Sequence, residues 1–267
     1  MRYIQSFSTS GDVQTAIDNG SLGKPYVAYV ESDGAIDWNT KEKTDYSKKY
    51  LTFEIVSGGT LVIEKNDNDL YYSKNDADFI QLTNSYNELP LNEGDIIRFY
   101  GNNNTFNNNY NAVFRTKFQT NLHYNVYGNI MSLLYGQNFI GKTSFDYNEV
   151  FMYLFFKNKI ISAKNLILPA TTLTNYCYVG MFQGCSKLIE GPEILATTLA
   201  TSSCNTMFSD CSKLNHIKCM VTGTNYSNTY NWVSGVQTNS GTFVKKVGVT
   251  WPTGNSGIPN NWTVIEE

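Results

Sequence analysis

The chain has 267 residues, 41% hydrophobic and 16% charged, a balance that suits a folded protein and excludes wholesale disorder. With 20 Lys and Arg against 23 Asp and Glu, the net charge is −3 and there is no basic run, so the footprint of a nucleic-acid binder is missing. The 19 Tyr, 15 Phe and 20 Gly, with abundant Asn and only 2 His, favour strands and tight turns over long helices.

The first eleven residues contain neither the apolar core of roughly 7–15 residues nor the small-residue cleavage site of a secretory signal, so synthesis in the cytoplasm is expected. No window approaches the roughly 18 consecutive apolar residues of a membrane helix, and no membrane insertion is expected. A short helix is predicted over residues 13–17, capped at Ser10 or Asp12 and ended by Asn19-Gly20. A hairpin follows, with arms at 26–30 and 35–38 around Ser32-Asp33-Gly34. Alone, a hairpin buries too little to be stable. The segment 1–45 therefore packs either on the domain behind it or on another protein, and Tyr26, Tyr29, Ile36 and Trp38 are the candidate anchoring residues.

From Tyr50 the pattern has period two: Leu51, Phe53 and Ile55 alternate with Thr52 and Glu54. Ser57-Gly58-Gly59 then reads as the turn of a hairpin whose second arm is 60–64. Further strands at 70–72, 79–82 and 91–100 predict a small antiparallel β-sandwich over 46–126. The acid pairs Asp67/Asp69 and Asp76/Asp78 lack the Gly and distal Glu of an EF-hand and read as turn chemistry. The Asn-rich run 101–111 reads as an exposed loop.

Residues 136–143, Gly-Gln-Asn-Phe-Ile-Gly-Lys-Thr, match the phosphate-loop pattern G-x-x-x-x-G-K-[ST], with Gly136, Gly141, Lys142 and Thr143 at the defining positions. In a functional loop the backbone N–H groups cradle phosphate, the Lys reaches the outer phosphates and the Thr hydroxyl holds Mg²⁺. That chemistry needs a strand before the loop, here 130–135, and a helix after it, here 143–156. No apolar run ending in Asp follows to hold the metal. The competing reading is a turn that opens the repeats downstream.

Beyond Ile160 the chain repeats itself. Ala170-Thr171-Thr172-Leu173 recurs at 196–199, and Met181-Phe182-Gln183-Gly184-Cys185-Ser186-Lys187-Leu188 recurs as Met207-Phe208-Ser209-Asp210-Cys211-Ser212-Lys213-Leu214, both offset by 26. A degenerate copy begins at Leu154-Phe155-Phe156. A fixed period in this range marks a solenoid, in which each unit buries its apolar face on its neighbour. Cys185 and Cys211 become equivalent core positions, and all five cysteines are expected to be buried and reduced rather than disulfide-bonded or metal-bound. The tail 223–267, with Trp232, Trp251 and Trp262, reads as a cap. His123 and His216 are far apart in sequence, and His216, between Leu214 and Ile217, reads as a core-edge residue. No pair of carboxylates is nominated for hydrolysis, and no cofactor or metal set is expected.

Residues 128–136, 168–173, 181–188 and 241–245 resemble BspA-like leucine-rich-repeat proteins of gut Bacteroides and their phages, virion proteins of crAss-like phages included. The resemblance covers about 120–267 and implies a short α/β leucine-rich-repeat solenoid (127–222); with the N-terminal hairpin segment (1–45), the sandwich (46–126) and the cap, a β-rich multidomain chain is expected. It also implies surface contact without catalysis. Two carriers of such a surface are expected: a homotrimeric virion fibre or decoration protein on the particle exterior, held by capsid or tail proteins and contacting host-surface glycan or protein, or a bacterial surface adhesin. A phosphate-loop NTPase through 136–143 is the enzymatic alternative.

Overall fold

The structure is a computed structural model that describes residues 4–7, 27–30, 34–37, 42–65, 69–102, 116–222, 226–237 and 239–267. The chain divides into Met1–Asp45 and Tyr46–Glu267. In the first unit, β1 (Ile4–Phe7) runs parallel to β2 (Val27–Val30), which pairs antiparallel with β3 (Gly34–Asp37) and so with β4 (Glu42–Lys43). Ala28 lies opposite Ile36 and Tyr29 opposite Ala35. The helix expected at 13–17, Tyr26 and Trp38 lie outside the described residues.

The second unit begins with β5 (Leu51–Ser57), β6 (Gly59–Glu64), β7 (Leu70–Lys74), β8 (Ile80–Gln81), β9 (Tyr86–Leu91), β10 (Ile96–Gly101), β11 (Lys117–Thr120) and β12 (His123–Asn129), of which β9, β11 and β12 are not expected from the pattern. The hairpin expected at 57–59 does not form: β5 pairs with β10 and β12, while β6 pairs with β9 and β11. The strand expected over 91–100 is likewise cut by the turn at 92–95: Leu91 ends β9 in one sheet and 96–100 belong to β10 in the other. The reason is burial. Two arms of one hairpin would present their apolar faces side by side, whereas crossing between sheets sets the β5 face against the β6 layer. Phe53 then meets Phe118 at 5.1 Å, Phe99 at 5.0 Å and Tyr124 at 4.6 Å between ring centroids.

β12 joins the two halves of the unit. One edge pairs antiparallel with β5, Val126 opposite Phe53, and the other pairs parallel with β13 (Ile160–Ser162) and β14 (Leu166–Leu168). Gly128 has φ +87°, and a Cβ there would overlap the Tyr50 carbonyl; this close approach lets Asn129 N–H donate to Lys49 O at 2.8 Å. The expected 126/127 boundary thus falls inside a strand. β15 (Glu190–Ile194), β16 (His216–Cys219), β17 (Thr242–Lys245) and β18 (Thr263–Glu266) extend the sheet in parallel, so that Glu190, His216, Thr242 and Thr263 lie in one row. Among the described residues this gives an 11-stranded mixed sheet and a 3-stranded antiparallel sheet, β11-β6-β9.

Between these rungs the structure corrects the α/β expectation: the connecting arms are chains of tight turns. Within an arm one N–H donates three residues back, as in Leu154 to Phe151 O, and the next donates to the following arm. Phe155 N–H reaches Met181 O at 2.9 Å, Phe182 N–H reaches Met207 O at 2.9 Å, and Phe208 N–H reaches Trp232 O at 2.8 Å. Every fourth residue has positive φ: Glu149, Tyr153 and Lys157, then Tyr176, Gly180 and Gly184, then Ser202, Thr206 and Asp210. An α-helix cannot contain such residues at regular intervals. The side chains between them stack, Phe155 on Phe182 at 5.4 Å, Phe182 on Phe208 at 5.6 Å, and Phe208 against Trp232 at 6.1 Å. Cys185 donates its thiol to Phe155 O and Cys211 its thiol to Phe182 O, the equivalent roles their 26-residue offset predicts. Trp232 ends the stack on Trp251, with its indole N–H on Gly257 O at 2.7 Å.

Candidate functional site

The residues 136–143 do not build a phosphate cradle. Where a strand is needed, Ser132–Tyr135 forms α1, a single helical turn, followed by a 3-10 turn over Gly136–Asn138. Where a helix is needed, the chain bends and then enters the first turn arm. Lys142 stands over the Tyr135 ring, 5.1 Å from its centroid, and Gly141 is exposed with φ +79°. Thr143 O instead accepts from Thr171 N–H; Thr171 O accepts from Thr197 N–H, and Thr197 O from Thr222 N–H. Gly136, Gly141, Lys142 and Thr143 therefore belong to the turn that opens the stack of arms.

Nor do the nucleophiles and bases assemble. All five cysteines are free and buried. Burial pushes the thiols up, Cys177 and Cys219 to about 12, so no thiolate is ready for attack. His123 shares a 3.1 Å hydrogen bond between its Nδ1 and Ser57 Oγ at the end of β12. His216 is half-buried in the row between Glu190 and Thr242, and its burial lowers its pKa. The charges on that face are paired: Lys164 with Glu190 at 3.6 Å, and Lys218 with Glu193 at 3.1 Å and Glu267 at 2.7 Å. Among the described residues no group of three His, Cys, Asp or Glu is placed to hold a metal ion. Of the acids read as turn chemistry, Asp76 sits in a turn and pairs with Arg98, while Asp69, just before β7, accepts from Gln81; Asp67 lies outside the described residues.

The arrangement best suited to bind something opens between edge strand β11 and the first two turn arms. It is a pocket of about 590 Å³ lined by Lys117, Phe118, Gln119 and Thr120 from β11, by Tyr153, Leu154, Phe156, Lys157 and Asn158 from the first arm, and by Gln183 from the second. Asn158 fixes this meeting of elements. Its buried amide donates to Phe118 O at 2.6 Å, and its Oδ1 accepts from the Tyr124 hydroxyl at 3.1 Å. Phe156 remains 41% exposed, with Tyr153 edge-on to it at 5.6 Å. Lys157 Nζ rests 5.0 Å from the Phe156 ring centroid. Two lysines, three aromatic residues, three amide side chains and two hydroxyl-bearing residues thus line a concave site, and no carboxylate stands among its described lining residues.

Sequence reasoning missed this pocket. Its halves are about forty residues apart, and the one local signal is the break of the apolar run 150–156 at Lys157-Asn158-Lys159. Of the expected anchoring residues, Tyr29 lies in β2 and Ile36 in β3, on paired strands of the smaller unit. Compared with known proteins, the chain matches no family model, no curated protein and no solved structure.

Proposed function

We propose that the chain is a non-enzymatic structural protein of a phage virion, a head fibre, decoration or tail-associated fibre subunit. In this reading the unit 1–45 anchors to capsid or tail proteins. The larger unit, in which a leucine-rich-repeat solenoid over 127–222 follows the sandwich and is closed by a cap at 223–267, is displayed on the particle exterior for adhesion to a host or mucosal surface. The observation that supports it best is the division of the chain at Asp45 into a small sheet and a larger unit organised around one mixed sheet. A chain with one part for attachment and another for display calls for such a division. The repeats leave the cysteines buried and the charged face neutralised, which suits contact rather than chemistry. Clustering copies raises the avidity of weak contacts, so a homotrimer is expected.

The test is deletion of residues 1–45 in a phage that encodes the protein, with purified particles probed for the remaining chain. Loss of the chain from otherwise intact particles supports the anchor, and its retention overturns it. Light scattering on the purified protein reads the mass of the assembly, and a monomer would remove the trimer.

A further inference from the structure

We infer that the pocket between β11 and the turn arms binds a saccharide unit carrying a carboxylate or a sulfate. This rests on the reading of the larger unit as a displayed binding body and names the ligand class of that body. The pocket, at about 590 Å³, has the volume of a small-molecule site. Its charge is opposite in sign to that of the chain: Lys117 and Lys157 line it with no carboxylate among the described lining residues, although the protein carries a net −3. Lys117 is shared with Glu64 at 3.5 Å, a solvent-exposed pair of small strength. Lys157 has no carboxylate within ion-pair distance among the described residues, and its ammonium lies against the Phe156 ring beside the opening.

The other groups specify a sugar. The exposed Phe156 ring offers an apolar face to the C–H side of a pyranose, while the Gln119 and Gln183 amides both donate and accept, as a set of hydroxyls requires; the Thr120 hydroxyl is engaged with Thr60 O and Leu122 N–H. An extended acidic peptide would engage the lysines and could pair its backbone with the amides, but it brings no rigid C–H face for the Phe156 ring. The site is also preorganised. Lys157 is held at φ +58° with its N–H on Gln183 O at 2.8 Å, and Gly184 leaves room for its stem, since a Cβ there would stand 2.8 Å from Lys157 Cγ. Asn158, the next residue, ties the arm to β11. Little ordering remains to be done when a ligand arrives.

The experiment is calorimetric titration of the intact purified chain with sialyllactose, a sulfated chondroitin disaccharide, lactose and hexaglutamate, at low and raised salt. The expected result is binding of one or both acidic saccharides that weakens with salt, with lactose weaker by about tenfold or more. Lys157→Gln and Phe156→Ala should each lower that affinity about tenfold while the melting temperature stays unchanged; Lys117→Gln serves if either variant fails to fold. Absence of binding by both acidic saccharides, equal binding of lactose or hexaglutamate, or indifference to these substitutions overturns the inference. Adhesion of wild-type chain that persists in Lys157→Gln sinks this ligand class and leaves the display reading standing, whereas a wild-type chain that adheres to no host or mucosal surface sinks that reading itself.

Discussion

Cys185 and Cys211 show how closely a residue's neighbourhood can follow from its place in a repeat. Each is fully buried and donates its thiol to the carbonyl of a stacked Phe in the preceding arm. With every thiol pushed up by burial, Ellman's reagent should label none of the five in the native chain at neutral pH and all five after unfolding. Rapid labelling of the native protein would contradict the packing described. Asp95 is the opposite case, an acid held down to about 2, first by the Asn92 N–H and then by Lys74 and Asn75. A depressed carboxyl contributes stability that is fully present above the usual carboxylate range and is lost as pH falls through about 2. Discounted for solvent screening, that contribution is about 1 kcal/mol. Asp95→Asn should lower stability by that amount at pH near 7 and flatten its decline in acid, as thermal melts across the range would read.

The elements divide into those the sequence made legible and those it did not. The offset of 26 was legible because Met-Phe, Cys and Ser-Lys-Leu recur as whole words, and the structure joins those words by hydrogen bonds of the same spacing, such as Ser212 to Ser186. The partners of β5 and β6 were not, since alternation fixes which face of a strand is buried and says nothing of which sheet it enters. The turn arms were hidden for another reason: left-handed backbone at Tyr153, Tyr176 and Thr206 runs against residue preference and is imposed by the hydrogen bonds to the next arm. The pocket depends on both features, so it was out of reach. Gly180 tests the arm directly. It has φ +56°, and a Cβ there would overlap the Tyr153 ring. Gly180→Ala should cost about 2–4 kcal/mol from strain and overpacking together. Adding Tyr153→Ala should remove the overlap, so that the double variant loses less than the sum of the single ones, a coupling that denaturant titrations can measure.

At the scale of the molecule, β12 binds the sandwich-like half and the parallel half into one sheet, with β5 on one edge and β13 and β14 on the other. Residues 46–267 should therefore unfold in one cooperative transition. Trp232→Ala, at the far end of the aromatic stack, should cost about 3–5 kcal/mol and move the whole transition, including the signal from tyrosines in β7 and β10. Two separate transitions would mean that the seam at β12 does not transmit stability.

Each arm turns a row of N–H groups toward the following arm and a row of C=O groups toward the preceding one, so one arm accepts the next without any adaptation of sequence at the junction. Length is then an adjustable quantity. Duplicating the 26 residues of one unit in frame would insert a spare step that both neighbours already fit, carrying the tail farther from β12 while the front of the chain stays as it is. A lineage under pressure to change its reach could do so by copying a short piece of gene, with no new fold to invent.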